Sequence, residues 1–342
     1  MTPHGAAGAL NTRVCRMLQI EYPVVQAGMG YIARAELAAA VSNAGGLGVV
    51  GSTGDLTPDE LRAEVRAVKA LTGRPFAVNL LFPTYDESPE GRALAAELQA
   101  KVEVLLAEEV PILGAGLGVP EKPVLDACHK AGTLTMATIG SVKHAVMADQ
   151  AGLDLIVAQG WEAGGHNSRV ASLALLPQVV AAVDVPVLAA GGIAGGSGLV
   201  AALALGASAV YLGSVFAVCR EARVHDNYRE AIFGADETST TLSRGYSGKP
   251  VRMVANEFTR YWEDHANELE PFPQQWAKNE HLVVTAVVEG KLAEGPVPIG
   301  QIVGMLDRIE SAADIVARVV AEAVEVLETG LWARLQLTSN EF

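Results

Sequence analysis

The sequence predicts an α/β fold, a (β/α)8 TIM barrel with a small inserted domain between the eighth strand and the last helix. Three observations predict it. Eight short apolar runs recur between residues 23 and 216, nearly continuous rather than alternating, as strands buried on both faces read. Helix-like amphipathic stretches separate each run from the next. Residues 220–305 then turn richer in Tyr, Trp, Asn, His and charge, before a long amphipathic stretch over 308–330. A doubly wound open sheet is the competing arrangement of such an alternation.

The elements follow in order. PVVQAGM (23–29) is the first strand, and the helix ARAELAAAVSNAG (33–45) after it stops at Gly45. LGVVGS (47–52) leads to TPDELRAEVRAVKALTG (57–73), where Thr57 is the N-cap, Pro58 takes the first helical position and Glu60 completes a capping box. FAVNLLF (76–82), VPILGAGL (110–117), LTMATI (134–139) and LDLIVAQG (153–160) precede helices over 90–108, 120–131, 141–151 and 173–183. PVLAAGG (186–192) precedes a helix over 197–205, and AVYLGSVF (209–216) is the eighth strand. PFPQQW and GPVPIG break the segment that follows, and RIESAADIVARVVAEAVEVLETG (308–330) supplies the eighth barrel helix. The barrel is therefore expected over 1–219 and 306–342, and the inserted domain over 220–305.

Bulk properties narrow the function. Half of the 342 residues are apolar and 19% are charged, enough for a large core and too little charge for disorder. The net charge of −14 argues against nucleic acid and against an anionic membrane surface, both of which need a basic footprint. Cys15, Cys128 and Cys219 are too scattered for a disulfide framework or a zinc site, which suits a reducing, cytoplasmic setting. The first 18 residues lack the apolar stretch of a signal peptide. Val185 to Cys219 carries no charge, but glycines and Pro186 interrupt it before it reaches the ~20 residues of a membrane span.

Glycines mark an anion seat. AAGGIAGGSG (189–198) follows the seventh strand and LGSVF (212–216) ends the eighth, where barrels often hold phosphate on backbone N–H groups. Ser214 adds a hydroxyl. Tight strand–helix turns alone also use such glycines. GMGYIA (28–33) lacks the third glycine and the acidic partner of a dinucleotide fingerprint, and no GxxxxGK[ST] occurs.

His166 stands just past the sixth strand, on the face where barrels keep their chemistry. An imidazole there either meets a ligand near neutral pH or ties down its loop. The other histidines fall on the terminus, the outer helices or the insertion, and no HExxH occurs, so no metal site is expected. No GxSxG precedes a helix, and Cys219 reads as packing. Asn79, an amide inside a buried strand, needs a partner, either a cofactor ring or a neighbouring backbone. Met29 packs on a ring face or fills the core.

QAGMG (26–30), AAAVSNAGGLGVV (38–50), FAVNLL (76–81), QGWEAGGH (159–166), AAGGI (189–193), YLGSVF (211–216) and GQIVGM (300–305) occur in the order seen in the nitronate monooxygenase family, formerly 2-nitropropane dioxygenases. The chain resembles that family over roughly residues 18–330. The resemblance implies a TIM barrel with one non-covalent FMN. Ala27, Gly28 and Met29 would lie under the flavin ring, with Asn79 bonding its polar edge, Gly164 and Gly165 close by, and Gln159 also among the cofactor-binding residues. Gly191, Gly192, Gly213 and Ser214 would hold the phosphate, and Gln301 would reach in from the insertion. His166 matches the family's active-site histidine. It would take the α-proton of a nitroalkane or, protonated, pin an oxygen of a nitronate. The implied partners are a small-molecule nitronate and O2, giving a carbonyl compound and nitrite. The chain also resembles FMN-dependent enoyl-thioester reductases, in EAGGH, AAGGI and FAVCREARVHDNYREAI (216–232), which implies NAD(P)H and an acyl thioester instead. Some members carry a lysine on the fifth strand, and LTMATI has none. A non-catalytic sensor of phosphate-bearing ligands is the reading outside enzymes, and a homodimer is one assembly left open.

Overall fold

The computed structural model describes residues 10–52, 56–85 and 89–330. Eight parallel strands form the barrel. In chain order these are β1 (Val24–Gln26), β2 (Gly48–Gly51), β3 (Phe76–Leu81), β4 (Ile112–Gly116), β5 (Leu134–Ile139) and β6 (Leu155–Gln159). A two-residue strand outside the barrel, β7 (Gly165–His166), comes next, followed by β8 (Val187–Ala190) and β9 (Ala209–Leu212). β1 pairs with β9 at one end of the sheet, and a parallel bridge from Val25 to Leu47 closes β1 on β2. The Gln26 and Leu47 N–H groups complete that seam, each donating across it at 2.9 Å.

A helix follows each of the first seven barrel strands, because short polar loops can return a buried strand only through an amphipathic crossover. They are α2 (Ala35–Asn43), α3 (Pro58–Leu71), α4 (Pro89–Ala107), α5 (Lys122–Ala131), α6 (Val142–Ala151), α7 (Ser172–Val180) and α8 (Gly196–Ala204). The expected capping box on α3 is present: Thr57 Oγ1 accepts from Glu60 N at 3.3 Å, and Thr57 N donates to Glu60 Oε2 at 2.8 Å. The eighth helix comes late. After a four-residue turn, α9 (Ser214–Ala217), the chain departs, and it returns as α13 (Ala312–Glu325), which packs between α8 and α2. Ser311 and Asp314 form its own capping box.

The barrel interior is filled by Val25, Val49, Ala77, Met136, Leu155, Leu188 and Tyr211, among others. Its N-terminal end is plugged by α1 (Arg13–Leu18), a helix the apolar-run pattern did not reveal, whose Val14, Cys15 and Leu18 join the same cluster. Thr12 Oγ1 donates to Ser208 O at 2.6 Å, just ahead of β9, and pins α1 there.

The insertion contains α10 (Asp226–Phe233), the hairpin β10 (Thr240–Ser243) and β11 (Val251–Val254), then α11 (Glu257–Asp264) and α12 (Gln274–Asn279). Arg229 anchors its start: 9% exposed, it donates to the carbonyls of Val218, Cys219, Ala222 and Val224 as the chain leaves the barrel. The sheet of the insertion has a third member. β7, from the β6–α7 loop of the barrel, pairs antiparallel with β11, placing His166 opposite Val251 and Gly165 opposite Arg252.

Candidate active site

The C-terminal ends of the strands open into a cavity of about 1020 Å³, roofed by the insertion. Every residue named from the sequence as a site residue lines it except Gln301. Gln301 N donates instead to Glu162 O at 2.9 Å, while its neighbours Gly300 and Ile302 face the cavity.

Gly191 and Gly192 leave β8 with φ of +95° and +74°, a conformation that strains any residue with a Cβ. That turn points the backbone into the cavity. Among the described residues the N–H groups of Gly191, Gly192 and Gly213 donate to no acceptor. Ser214 Oγ accepts from Gly300 N at 2.9 Å, which leaves the hydroxyl proton for a ligand. Unpaired backbone donors converging at two adjacent strand ends are what an anion needs. The second glycine pair of the motif serves packing: Gly196 N donates to Glu322 Oε2 of α13 at 2.8 Å.

On the other side, Asn79 sits within β3 at 8% exposure. Its side-chain amide bonds no described residue and lines the cavity. Of the two partners open to it from sequence, the neighbouring backbone is therefore not one it uses. The floor between is Ala27–Met29, with Tyr211 beneath. Tyr211 OH accepts from Gly28 N at 2.8 Å, and burial pushes this phenol up to about 12, so it stays protonated. Met29 lines the cavity and packs on the core at once.

His166 lines the cavity on the side of β11, half-buried, with Nε2 2.8 Å from Ser247 Oγ and its ring tilted 44° against Tyr246 at 6.0 Å. Burial, and then the nearby Lys249 ammonium, lower its pKa to about 4. The ring is neutral at neutral pH, which favours neutral-imidazole chemistry over the imidazolium expected for nitronate binding. Gln159 Nε2 donates to His166 O at 2.6 Å and Asn167 N donates to Pro250 O at 3.1 Å, so the backbone on both sides is held.

The acid and glycines of EAGGH divide their work. Glu162 accepts from Ser172 N (2.9 Å) and Ser172 Oγ (2.9 Å), tying the loop to the start of α7. A Cβ at Gly164 would sit 2.6 Å from the Ile299 carbonyl carbon, so that glycine admits the insertion's backbone rather than a ligand. Gly165 faces open space. Sequence reasoning missed Ser247, Tyr246 and Tyr211 as site residues. Only Tyr211 carried a signal, since it sits in the YLGSVF motif; nothing local to SGKP (247–250) marks it as a neighbour of residue 166.

Cys219 is fully buried and its thiol is pushed up to about 12 by burial, as a packing residue. Among the described residues no three His, Cys, Asp or Glu side chains cluster to hold a metal, and no helix is long and apolar enough to cross a membrane.

Comparison with known proteins agrees with this geometry. The nitronate monooxygenase family model matches residues 11–322. A protein named probable nitronate monooxygenase from Staphylococcus saprophyticus is 31% identical, covering 93% of this chain and 99% of its own. A (3aS,4S,5R,7aS)-5-hydroxy-7a-methyl-1-oxo-octahydro-1H-indene-4-carboxyl-CoA dehydrogenase from Rhodococcus jostii is 30% identical, covering 93% and 97%. The solved structure of FabK from Thermotoga maritima superposes with a TM-score of 0.84 at 34% identity, covering 95% of this chain and 99% of that one. With the barrel, the roofed cavity and the matched span in agreement, the chain belongs to the nitronate monooxygenase family and is an oxidoreductase of that family.

Proposed function

We propose that the chain is an FMN-dependent nitronate monooxygenase that uses O2 to convert alkyl nitronates to carbonyl compounds and nitrite. The observation that supports this is one cavity lined by an unfilled set of backbone donors after β8 and β9, the unpartnered buried amide of Asn79 and the ring of His166. These residues fit FMN. Gly191, Gly192, Gly213 and Ser214 would hold the phosphate, and Asn79 the polar edge of the ring. Ala27, Gly28 and Met29 would lie along one face, with Gln159 and Gly165 close by. FMN, when bound, supplies the electron-transfer capacity that no side chain here has.

The protein's own contribution is positional. The glycine seat would fix the anionic end, and Tyr246, Trp276 and Ile302 line the cavity beyond it. His166 presents a neutral ring to the oxygen-bearing end of the substrate, and a positioned group of this kind typically contributes about 10²–10⁴-fold.

A second reading, an FMN-dependent enoyl-thioester reductase or dehydrogenase using NAD(P)H, is favoured by two observations. The cavity is large, and one relative is named for an acyl-CoA substrate. The test mixes the anaerobic holoprotein separately with propyl-2-nitronate, NADH, NADPH and an enoyl-CoA. Under the first reading only nitronate bleaches the flavin band, and admitting air releases nitrite. Bleaching by a nicotinamide and reoxidation by the enoyl-CoA, with no response to nitronate, would establish the second.

A further inference from the structure

We infer that Ser247 donates its hydroxyl proton to Nε2 of His166 and thereby holds the ring as the Nδ1–H tautomer, so that His166 meets its ligand as a hydrogen-bond donor. Hydrogen-bond accounting around one buried hydroxyl leads there. Ser247 is 0% exposed, on the turn between β10 and β11. Its Oγ accepts from Lys249 N at 3.4 Å and lies 2.8 Å from His166 Nε2. No other acceptor for its proton occurs among the described residues. Were Nε2–H the donor, the hydroxyl proton would be sealed from water without a partner, which buried hydroxyls in folded proteins avoid. Reversing the bond satisfies every atom: Lys249 N donates to Oγ, and Oγ donates to Nε2.

A neutral imidazole carries one proton, which this leaves on Nδ1. Nδ1 bonds no described residue and is not sealed from the cavity. The backbone that carries the ring is held on both sides. β7 is laddered to β11, and Gln159 grips the His166 carbonyl. The charged and titratable groups facing the ring are Lys249 and Tyr246, both from the same turn, and Tyr246 OH accepts from Trp276 Nε1 at 3.3 Å. Ser247 is thus a positioning residue. The inserted hairpin sets what His166 offers, an N–H aimed at an acceptor oxygen such as that of a nitronate or a thioester carbonyl. In this tautomer Nδ1 has no lone pair with which to abstract a proton. The inference rests on the proposed function only for the identity of that oxygen.

The test is ¹⁵N NMR of the histidine-labelled holoprotein at pH 7.5 without substrate, with His166 assigned by its loss in His166→Gln. We expect a protonated, pyrrole-type Nδ1 and an unprotonated, pyridine-type Nε2. Ser247→Ala should shift the ring toward the Nε2–H form, and Ser247→Thr should restore the wild-type pattern. A wild-type spectrum with Nε2 protonated overturns the inference, as does a Ser247→Ala spectrum identical to wild type. The wild-type spectrum decides alone if Ser247→Ala does not fold. Because no turnover is measured, failure here is separate from failure of the nitronate assay. Where turnover is found, Ser247→Ala should lower kcat by about 2–12-fold, the equivalent of one hydrogen bond, with Ser247→Thr recovering most of it.

Discussion

Asn79 and His166 carry most of what single residues add. Asn79 is nearly buried with an amide that has nothing to bond in the protein, so its desolvation is offset only when a ligand arrives. Asn79→Ala should therefore weaken FMN binding by about 1–3 kcal/mol in a fluorescence titration of apoprotein, while leaving folding stability unchanged or higher. A variant that unfolds more easily with FMN affinity intact would assign Asn79 to the scaffold. His166 has the opposite signature. The folded protein keeps it neutral down to about pH 4, whereas the unfolded ring titrates near 6.5. Between those values the unfolded state binds more protons, so this residue's contribution to stability is present above 6.5 and lost as pH falls toward 4. Wild type should accordingly lose more Tm than His166→Gln on acidification from pH 7 to 4.5. Parallel pH profiles for the two proteins would contradict the burial argument.

At the scale of elements, one junction closes each end of the barrel. The first is the strand pair β7–β11, which brings a barrel loop and the insertion to one sheet and needs Gly164 to let the 299–300 backbone close over it. Gly164→Ala should cost about 1–3 kcal/mol in chemical unfolding and expose the cavity to solvent quenchers of bound flavin. Unchanged stability would mean the insertion sits looser than its contacts indicate. The second is α1, whose Leu18, 2% exposed, plugs the far end of the barrel. Leu18→Ala should destabilise by about 2–5 kcal/mol while leaving ligand affinity per folded molecule alone, because the plug and the mouth lie at opposite ends of the strands. A loss of affinity as large as the loss of stability would show the two ends to be coupled.

For the whole molecule, the barrel was legible because its signal is repetitive: apolar runs such as LGVVGS and FAVNLLF alternate with capped helices, and each repeat corroborates the last. The glycine turn after β8 was legible because glycines with positive φ must sit where Gly191 and Gly192 do. Contacts between distant segments were not. β7 is two residues long, and its partner lies some 85 residues onward, so no local pattern announces it. Ser247 became a neighbour of His166 only through that pairing. α1 escaped notice because six residues give less than two turns of periodicity. The glycines of EAGGH were legible as a site but not as a division of labour, since sequence alone does not say whether a missing Cβ makes room for a ligand or for protein.

The central claim is that backbone donors at β8 and β9 grip a phosphate and so place a flavin against His166. Equilibrium titration of the apoprotein with FMN and with riboflavin, which lacks the phosphate, tests it directly. The account predicts one FMN bound per chain, with riboflavin weaker by at least about tenfold, the equivalent of roughly 1.4 kcal/mol or more from charge-assisted hydrogen bonds. Riboflavin binding as tightly as FMN, or a protein that takes up neither, would contradict it.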